Sequence, residues 1–160
     1  MTTDSPQQQI RQQALQLLSR REYSARELQQ KLAGGHSAED LGTVLQQLAE
    51  QGLQSDRRFA EVWVRHRRSQ GFGPIRIQSE LRQKGISPDQ IQAAMEADGM
   101  DWFAHACDVW QRRFRGRRER DPRLKAKQIR FLQYRGFTGE QIRHALGSAD
   151  TELPDADSLD

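Results

Sequence analysis

The sequence predicts an all-α fold of three tandem three-helix repeats, and three observations carry that reading. Apolar residues recur at spacings of three and four rather than two, and no stretch is rich in β-branched residues. Helix starts and stops are marked by Ser, Thr and Asp caps and by glycines. Finally, one spacing returns at a period of about fifty residues. Gly85-Ile86-Ser87-Pro88-Asp89-Gln90-Ile91 aligns without a gap on Gly136-Phe137-Thr138-Gly139-Glu140-Gln141-Ile142, with a fainter copy at Gly35-His36-Ser37-Ala38-Glu39-Asp40-Leu41. The starting glycines lie 50 and 51 residues apart. A period of that size marks a repeat architecture whose units lean on their neighbours and bind along their length.

Each element has its own local reason. The first helix is expected from about Gln8 to Ser19, with Ile10, Ala14, Leu15, Leu17 and Leu18 on its apolar side. Ser24-Ala25-Arg26-Glu27 has the form of a capping box and starts a short helix through Leu28 and Leu32. Gly34-Gly35 ends that helix, Ser37 starts a third carrying Leu41, Val44, Leu45 and Leu48, and Gly52 stops it. Asp56 is the N-cap candidate of the fourth, which places Phe59, Val62, Trp63 and His66 on one side. Gly71-Phe72-Gly73-Pro74 breaks the chain and sets Pro74 in the first turn of a fifth helix, which runs through Ile77 and Leu81 to Gly85. Ser87-Pro88 opens the sixth and Asp101 the seventh, with Trp102, Phe103, Ala106, Val109, Trp110 and Phe114. Asp121-Pro122 opens the eighth, and Thr138-Gly139-Glu140-Gln141 caps the ninth, which ends at Gly147. Expected boundaries are 1–53 (with a flexible N-terminus), 54–99 and 100–147 for the three repeats, and 148–160 for a disordered acidic tail. From Leu28 to Gly35 is seven residues where Leu81 to Gly85 is four, so the first repeat carries a three-residue insertion.

Composition narrows the function. The single cysteine, Cys107, excludes an internal disulfide and a cysteine-based metal site. No apolar run is long enough to span a bilayer, and the Gln-rich N-terminus lacks the apolar core of a signal peptide. A cytoplasmic protein with no membrane partner is expected. The net charge of +3 hides an asymmetry: Asp150, Glu152, Asp155, Asp157 and Asp160 stand in a segment without Lys or Arg, and setting those five charges aside leaves residues 1–147 at +8. Such an excess favours a polyanionic partner.

No catalytic constellation can be assembled. His36, His66, His105 and His144 stand far apart, Cys107 has no evident His partner, and Gly71-x-Gly73 lacks both the third glycine of a dinucleotide fingerprint and a preceding strand. A non-enzyme without cofactor or metal is expected. The arginines carry more information. Arg57, Arg65, Arg67 and Arg68 ride on the fourth helix, and Arg76, Arg82 and Lys84 follow on the fifth. The densest run holds Arg112, Arg113, Arg117, Lys125 and Lys127 among its bases and reads as an exposed, mobile connection. Guanidinium forks suit phosphate oxygens, so these residues form the candidate binding set. Trp63, Trp102 and Trp110 could stack on bases, but their helical register with Phe59, Ala106 and Phe114 favours packing.

The chain resembles the bacterial RecX regulatory proteins. The resemblance runs from about Ala14 to Leu146 and rests on Arg21-Glu22-Tyr23-Ser24-x-x-Glu27-Leu28, Gly52-Leu53-x-x-Asp56-x-Arg58-Phe59-Ala60, Gly71-x-Gly73-Pro74-x-x-Ile77-x-x-Glu80-Leu81-x-x-Lys84-Gly85-Ile86 and Phe131-Leu132-x-x-Arg135-Gly136-Phe137. It implies an elongated, curved array that binds the RecA recombinase filament on single-stranded DNA, within the filament's groove. It further implies that the protein, catalysing nothing itself, inhibits filament extension, ATP hydrolysis and strand exchange; a monomer is expected. Duplex DNA would be a weaker ligand. The rival readings are a stand-alone helix-turn-helix-like DNA-binding regulator and a helical scaffold for other proteins.

Overall fold

The structure, a computed structural model, describes residues 4–147, so the expected acidic tail lies outside the described residues. Within them the chain is wholly helical: α1 Pro6–Leu18, α2 Ala25–Leu32, α3 Ala38–Glu50, α4 Asp56–Ser69, α5 Pro74–Gln83, α6 Pro88–Asp98, α7 Trp102–Phe114, α8 Pro122–Arg135 and α9 Gly139–Leu146. The caps act as their sequences predict. Ser24 and Thr138 close reciprocal capping boxes with Glu27 and Gln141. Asp101 and Asp121 accept from the first-turn amides of α7 and α8.

Two starts differ from expectation. Helix α1 begins earlier because Ser5 and Gln8 form a capping box ahead of Pro6. At α4 the cap is Ser55, whose hydroxyl accepts from the Arg58 amide at 3.1 Å. The Asp56 carboxylate turns instead to the start of α2, accepting from the Ala25 amide at 2.9 Å and from the Gln54 side chain at 3.0 Å. Gln54, almost wholly buried, also donates to the Tyr23 carbonyl. An acid at the first position of one helix thus serves the positive end of another, where its charge is equally favourable.

Packing gathers the described helices into two compact units, each with a stretch of α4 and of α5. The first comprises residues through Trp63 together with Leu81–Ala97. Here α1 and α2 pack on α3 around Ile10, Ala14, Leu32, Leu41, Val44 and Leu48. The second comprises Val64–Glu80 and the residues from Asp98 onward. There α7 lies against α9 with α8 touching both, enclosing Ala106, Val109, Trp110, Ile129, Leu132, Phe137 and Ile142. Leu28, Leu48, Leu81 and Leu132 are fully buried, and each contributes roughly 1.5–3 kcal/mol through removal of apolar surface from water.

The repeat glycines do more than end helices. Gly136 ends α8 at φ 98°, and the carbonyls of Arg135 and Gly136 accept from the amides of Gly73 and Ile75 at 2.7 and 2.9 Å. The orphan acceptors of one helix end are thereby satisfied by the orphan donors of another helix's start. The approach is possible because neither partner has a side chain there: a Cβ on Gly136 would lie 2.6 Å from the Arg76 backbone nitrogen, and one on Gly73 would lie 2.6 Å from the Gly136 carbonyl carbon. In the other unit Gly85 ends α5 at φ 84° and faces the first turn of α2, where an added Cβ would meet Arg26 at 2.8 Å. Gly35, at φ 88°, faces open space.

These surroundings separate strain from crowding. Gly35→Ala should cost about 1–2 kcal/mol, from the left-handed backbone alone. Gly136→Ala adds overpacking against fixed backbone and should cost roughly 3 kcal/mol or more. Urea unfolding midpoints of the two variants measure the difference, and equal losses would remove the helix-to-helix joint from the account.

Candidate functional site

The twelve predicted basic residues divide by what holds them. Arg67 is half-buried and clamped: its guanidinium meets both oxygens of Glu80 at 2.7 and 2.9 Å and lies over the Phe72 ring at 3.9 Å. Arg68 faces Asp98, whose side chain is only 7% exposed, at 2.9 Å. Arg76 reaches Glu80 at 3.6 Å, sits over Phe72 and Tyr134, and donates to the Tyr134 carbonyl. Lys84 pairs with Glu27 at 3.1 Å and lies over Trp63. Arg57 makes an i,i+4 pair with Glu61 but remains open to water. Arg65, Arg82, Arg112, Arg113, Arg117 and Lys127 are exposed and Lys125 is half-buried, and none of the seven forms an ion pair among the described residues.

Glu27 shows why the clamped group belongs to the fold. Burial by itself raises its carboxyl pKa, but donors from Arg21, the Ser24 amide and Lys84 outweigh that and hold it below the ordinary value. Lys84 therefore stabilises a helix start rather than presenting a free charge.

Within the second unit the end of α4, the outer side of α7 and the last turns of α8 enclose an open cleft of about 480 Å³. Arg68, Arg112, Arg113 and Arg135 line it, with Asp108 as the acid on its wall and Val109, Met100 and Phe131 as its apolar floor. Arg135 is held in place by a hydrogen bond to the Gln70 carbonyl at 3.0 Å and by the Phe72 and Phe131 rings. Arg113 lies 5.5 Å from the Phe131 ring. Three predicted residues thus converge with one the sequence reading assigned to architecture alone. Its signal was present: a basic residue precedes both Gly85 and Gly136.

The Arg-rich connection after α7 is exposed as expected but is not free. The buried Gln128 side chain accepts from the Trp110 indole at 2.9 Å and donates to the Arg117 carbonyl at 2.9 Å. Arg118 donates to the Leu146 carbonyl at 3.1 Å. Trp110 is 3% exposed and belongs to the core. Among the described residues Tyr134 is the large aromatic most open to solvent, 76% exposed against 40% for Phe103, and it is topped by Arg76. Helical spacing hid it, because it falls on the polar side of α8.

His105 and Cys107 are on the helix that forms the cleft wall. Burial raises the Cys107 thiol, chiefly by desolvation and then by Asp108, so its reactive thiolate is disfavoured. Burial also pushes the His105 imidazole down, reinforced by Arg68 and Arg112 and opposed by the Phe72 backbone and Asp108. Its Nε2 is buried with no hydrogen-bond partner among the described residues.

His105 is therefore neutral in the native protein at pH 7, whereas the unfolded chain takes up its proton below about 6.5. The stability it preserves is fully present above that value and is lost as pH falls through the lowered native pKa. His105→Asn, which keeps a donor for the Phe72 contact, should flatten the decline in unfolding free energy between about pH 7 and pH 5. Parallel pH profiles for the two proteins would show that His105 contributes nothing to it.

The chain has relatives among known proteins. Residues 55–95 match the family model described as "RecX, second three-helix domain", and residues 101–146 match "RecX, third three-helix domain". The chain is 45% identical over 140 residues to the "Regulatory protein RecX" of Chromohalobacter salexigens, covering 87% of this chain and 91% of the relative. It is 46% identical over 144 residues to that of Halorhodospira halophila, covering 89% of each. Among solved structures, RecX from Lactobacillus salivarius superposes with a TM-score of 0.76 at 19% identity over 89% of this chain and 95% of that one, a likeness of fold. Another regulatory protein RecX superposes at 0.71 with 25% identity, covering 89% of this chain and 71% of that one. With two three-helix domain models matched in order and full-length relatives above two-fifths identity, the chain belongs to the RecX family of regulatory proteins.

Proposed function

We propose that this chain is a negative modulator of the RecA recombinase, binding the RecA filament on single-stranded DNA within its groove. Bound there, it inhibits filament extension, ATP hydrolysis and strand exchange as a cytoplasmic monomer, and it performs no chemistry of its own. Family membership supports the choice of partner. The observation that carries the contact assignment is the density of guanidiniums without an ion pair among the described residues on α7 and the connection after it, where Arg112 and Arg113 stand exposed beside the arginine-lined cleft. Such forks can hold phosphate oxygens or carboxylates in pairs. Tyr134, with Arg76 above its ring, offers a surface on which an unpaired base can stack.

The clamped arginines are poor probes of this contact. Reversing Arg67 or Arg68 would set a second acid against half-buried Glu80 or buried Asp98, a loss of about 3–5 kcal/mol that unfolds rather than informs. Arg112→Glu with Arg113→Glu leaves every ion pair among the described residues intact. That double variant should need roughly tenfold more protein to inhibit ATP hydrolysis by RecA filaments, while Arg57→Glu should shift inhibition less than about twofold. Undiminished inhibition by the folded double variant would remove α7 from the contact. Sedimentation with naked duplex DNA tests the rival reading, since a stand-alone regulator pellets with duplex in the absence of any filament.

A further inference from the structure

We infer that the Arg-rich surface of residues 112–127 is a docking site for the chain's own acidic segment, 148–160, which occupies it in place of an external polyanion. The surface carries Arg112, Arg113, Arg115, Arg117, Arg118, Arg120, Arg123, Lys125 and Lys127 against Glu119 and Asp121, an excess of seven positive charges over sixteen residues. None of these bases forms an ion pair among the described residues. Elsewhere among the described residues Arg21, Arg57, Arg58, Arg67, Arg68, Arg76 and Lys84 find carboxylates, and bases without one, such as Arg65 and Arg82, are more widely spaced along the chain. So much unpaired charge of one sign repels itself and favours an anionic partner.

The place where the described chain ends identifies that partner. Helix α9 stops at Leu146 with Gly147 in the left-handed region, and the Arg118 guanidinium holds the Leu146 carbonyl at 3.1 Å. Arg118 also lies against Gly147, its Cζ 2.7 Å from where a Cβ would stand, and 5.8 Å from the Trp110 ring. The following thirteen residues thus set out from the Arg-rich surface itself. They carry five acids and no base. At up to about 3.3–3.6 Å per residue, Asp150 comes within roughly 10 Å of Gly147, and the whole segment can span some 43–47 Å. Covalent attachment at this point gives the acids an effective concentration in the millimolar range, which an untethered ligand must overcome. The pinning of the connection through Gln128 and Arg118 keeps the surface in place as a receptor.

The test compares two full-length proteins: the natural chain and one with Asp150→Asn, Glu152→Gln, Asp155→Asn, Asp157→Asn and Asp160→Asn, which removes the five charges and leaves residues 1–147 unchanged. Backbone amide NMR spectra should differ at residues 112–127, and the difference should fade between about 20 mM and 500 mM salt as the charges are screened. The neutralised chain should also bind a single-stranded 20-nucleotide oligonucleotide about tenfold more tightly at the lower salt. Spectra that coincide over 112–127 overturn the docking, even if affinity rises, because that rise would then reflect net charge alone. Shifts that grow with protein concentration place the segment on a second copy and overturn the intramolecular assignment. Localised, concentration-independent shifts with unchanged oligonucleotide affinity uphold the docking and count instead against the polyanion contact proposed above.

Discussion

A helix can end against the start of another only where the joining residue has no side chain and a left-handed backbone, and the rest of this structure depends on that constraint. At Gly136 the last acceptors of α8 meet the first donors of α5, so two ends that would each need water or a cap satisfy one another. The dipoles also run head to tail, negative end to positive end. At Gly85 the end of α5 also lies near the first turn of α2, but against the Arg26 side chain. Because the approach at Gly136 is backbone to backbone, it fixes the neighbouring side chains with little freedom. Arg135 and Arg76 flank the Gly136 joint, and with Arg67 they surround Phe72.

That packing sorts a basic sequence into two kinds of charge. Basic residues near a joint or a helix end are drawn into pairs with Glu80, Asp98 and Glu27, where desolvation and Coulomb attraction oppose one another and the pairing fixes geometry. Arginines farther out keep their hydration and their charge. Only the second kind can neutralise another molecule's phosphates or carboxylates at modest cost, because nothing internal has to be given up. The overall excess of charge therefore overstates what is left without an internal carboxylate, and the densest stretch of such bases among the described residues lies on α7 and the connection to α8.

The sequence disclosed local features well and distant ones poorly. Ser24, Asp101, Asp121 and Thr138 were legible as caps because a capping oxygen and its amide lie within three residues of each other. Asp56 was legible as a helix-start residue, but its partner at Ala25 is 31 residues away, and Ser55 took the local role. The connection after α7 looks mobile by composition, with Gly116 and many arginines, yet buried Gln128 ties it down through a hydrogen bond spanning eleven residues. Arg135 read as part of a glycine motif, and its place in the cleft emerged only from its bond to the Gln70 carbonyl, 65 residues away.

By itself, then, the sequence determined the helices, their caps, the fifty-residue repeat and the basic excess of residues 1–147. These follow from hydrogen bonds within one helical turn, from a 3.6-residue apolar period and from simple charge counting. Tertiary structure alone decided which repeat glycine is a joint and which faces water, since Gly35, Gly85 and Gly136 share a left-handed backbone but not a neighbour. It also decided which guanidiniums are held by internal carboxylates and which form no ion pair among the described residues. Those outcomes turn on burial and on pairs far apart in the chain, and neither is encoded in the spacing of adjacent residues.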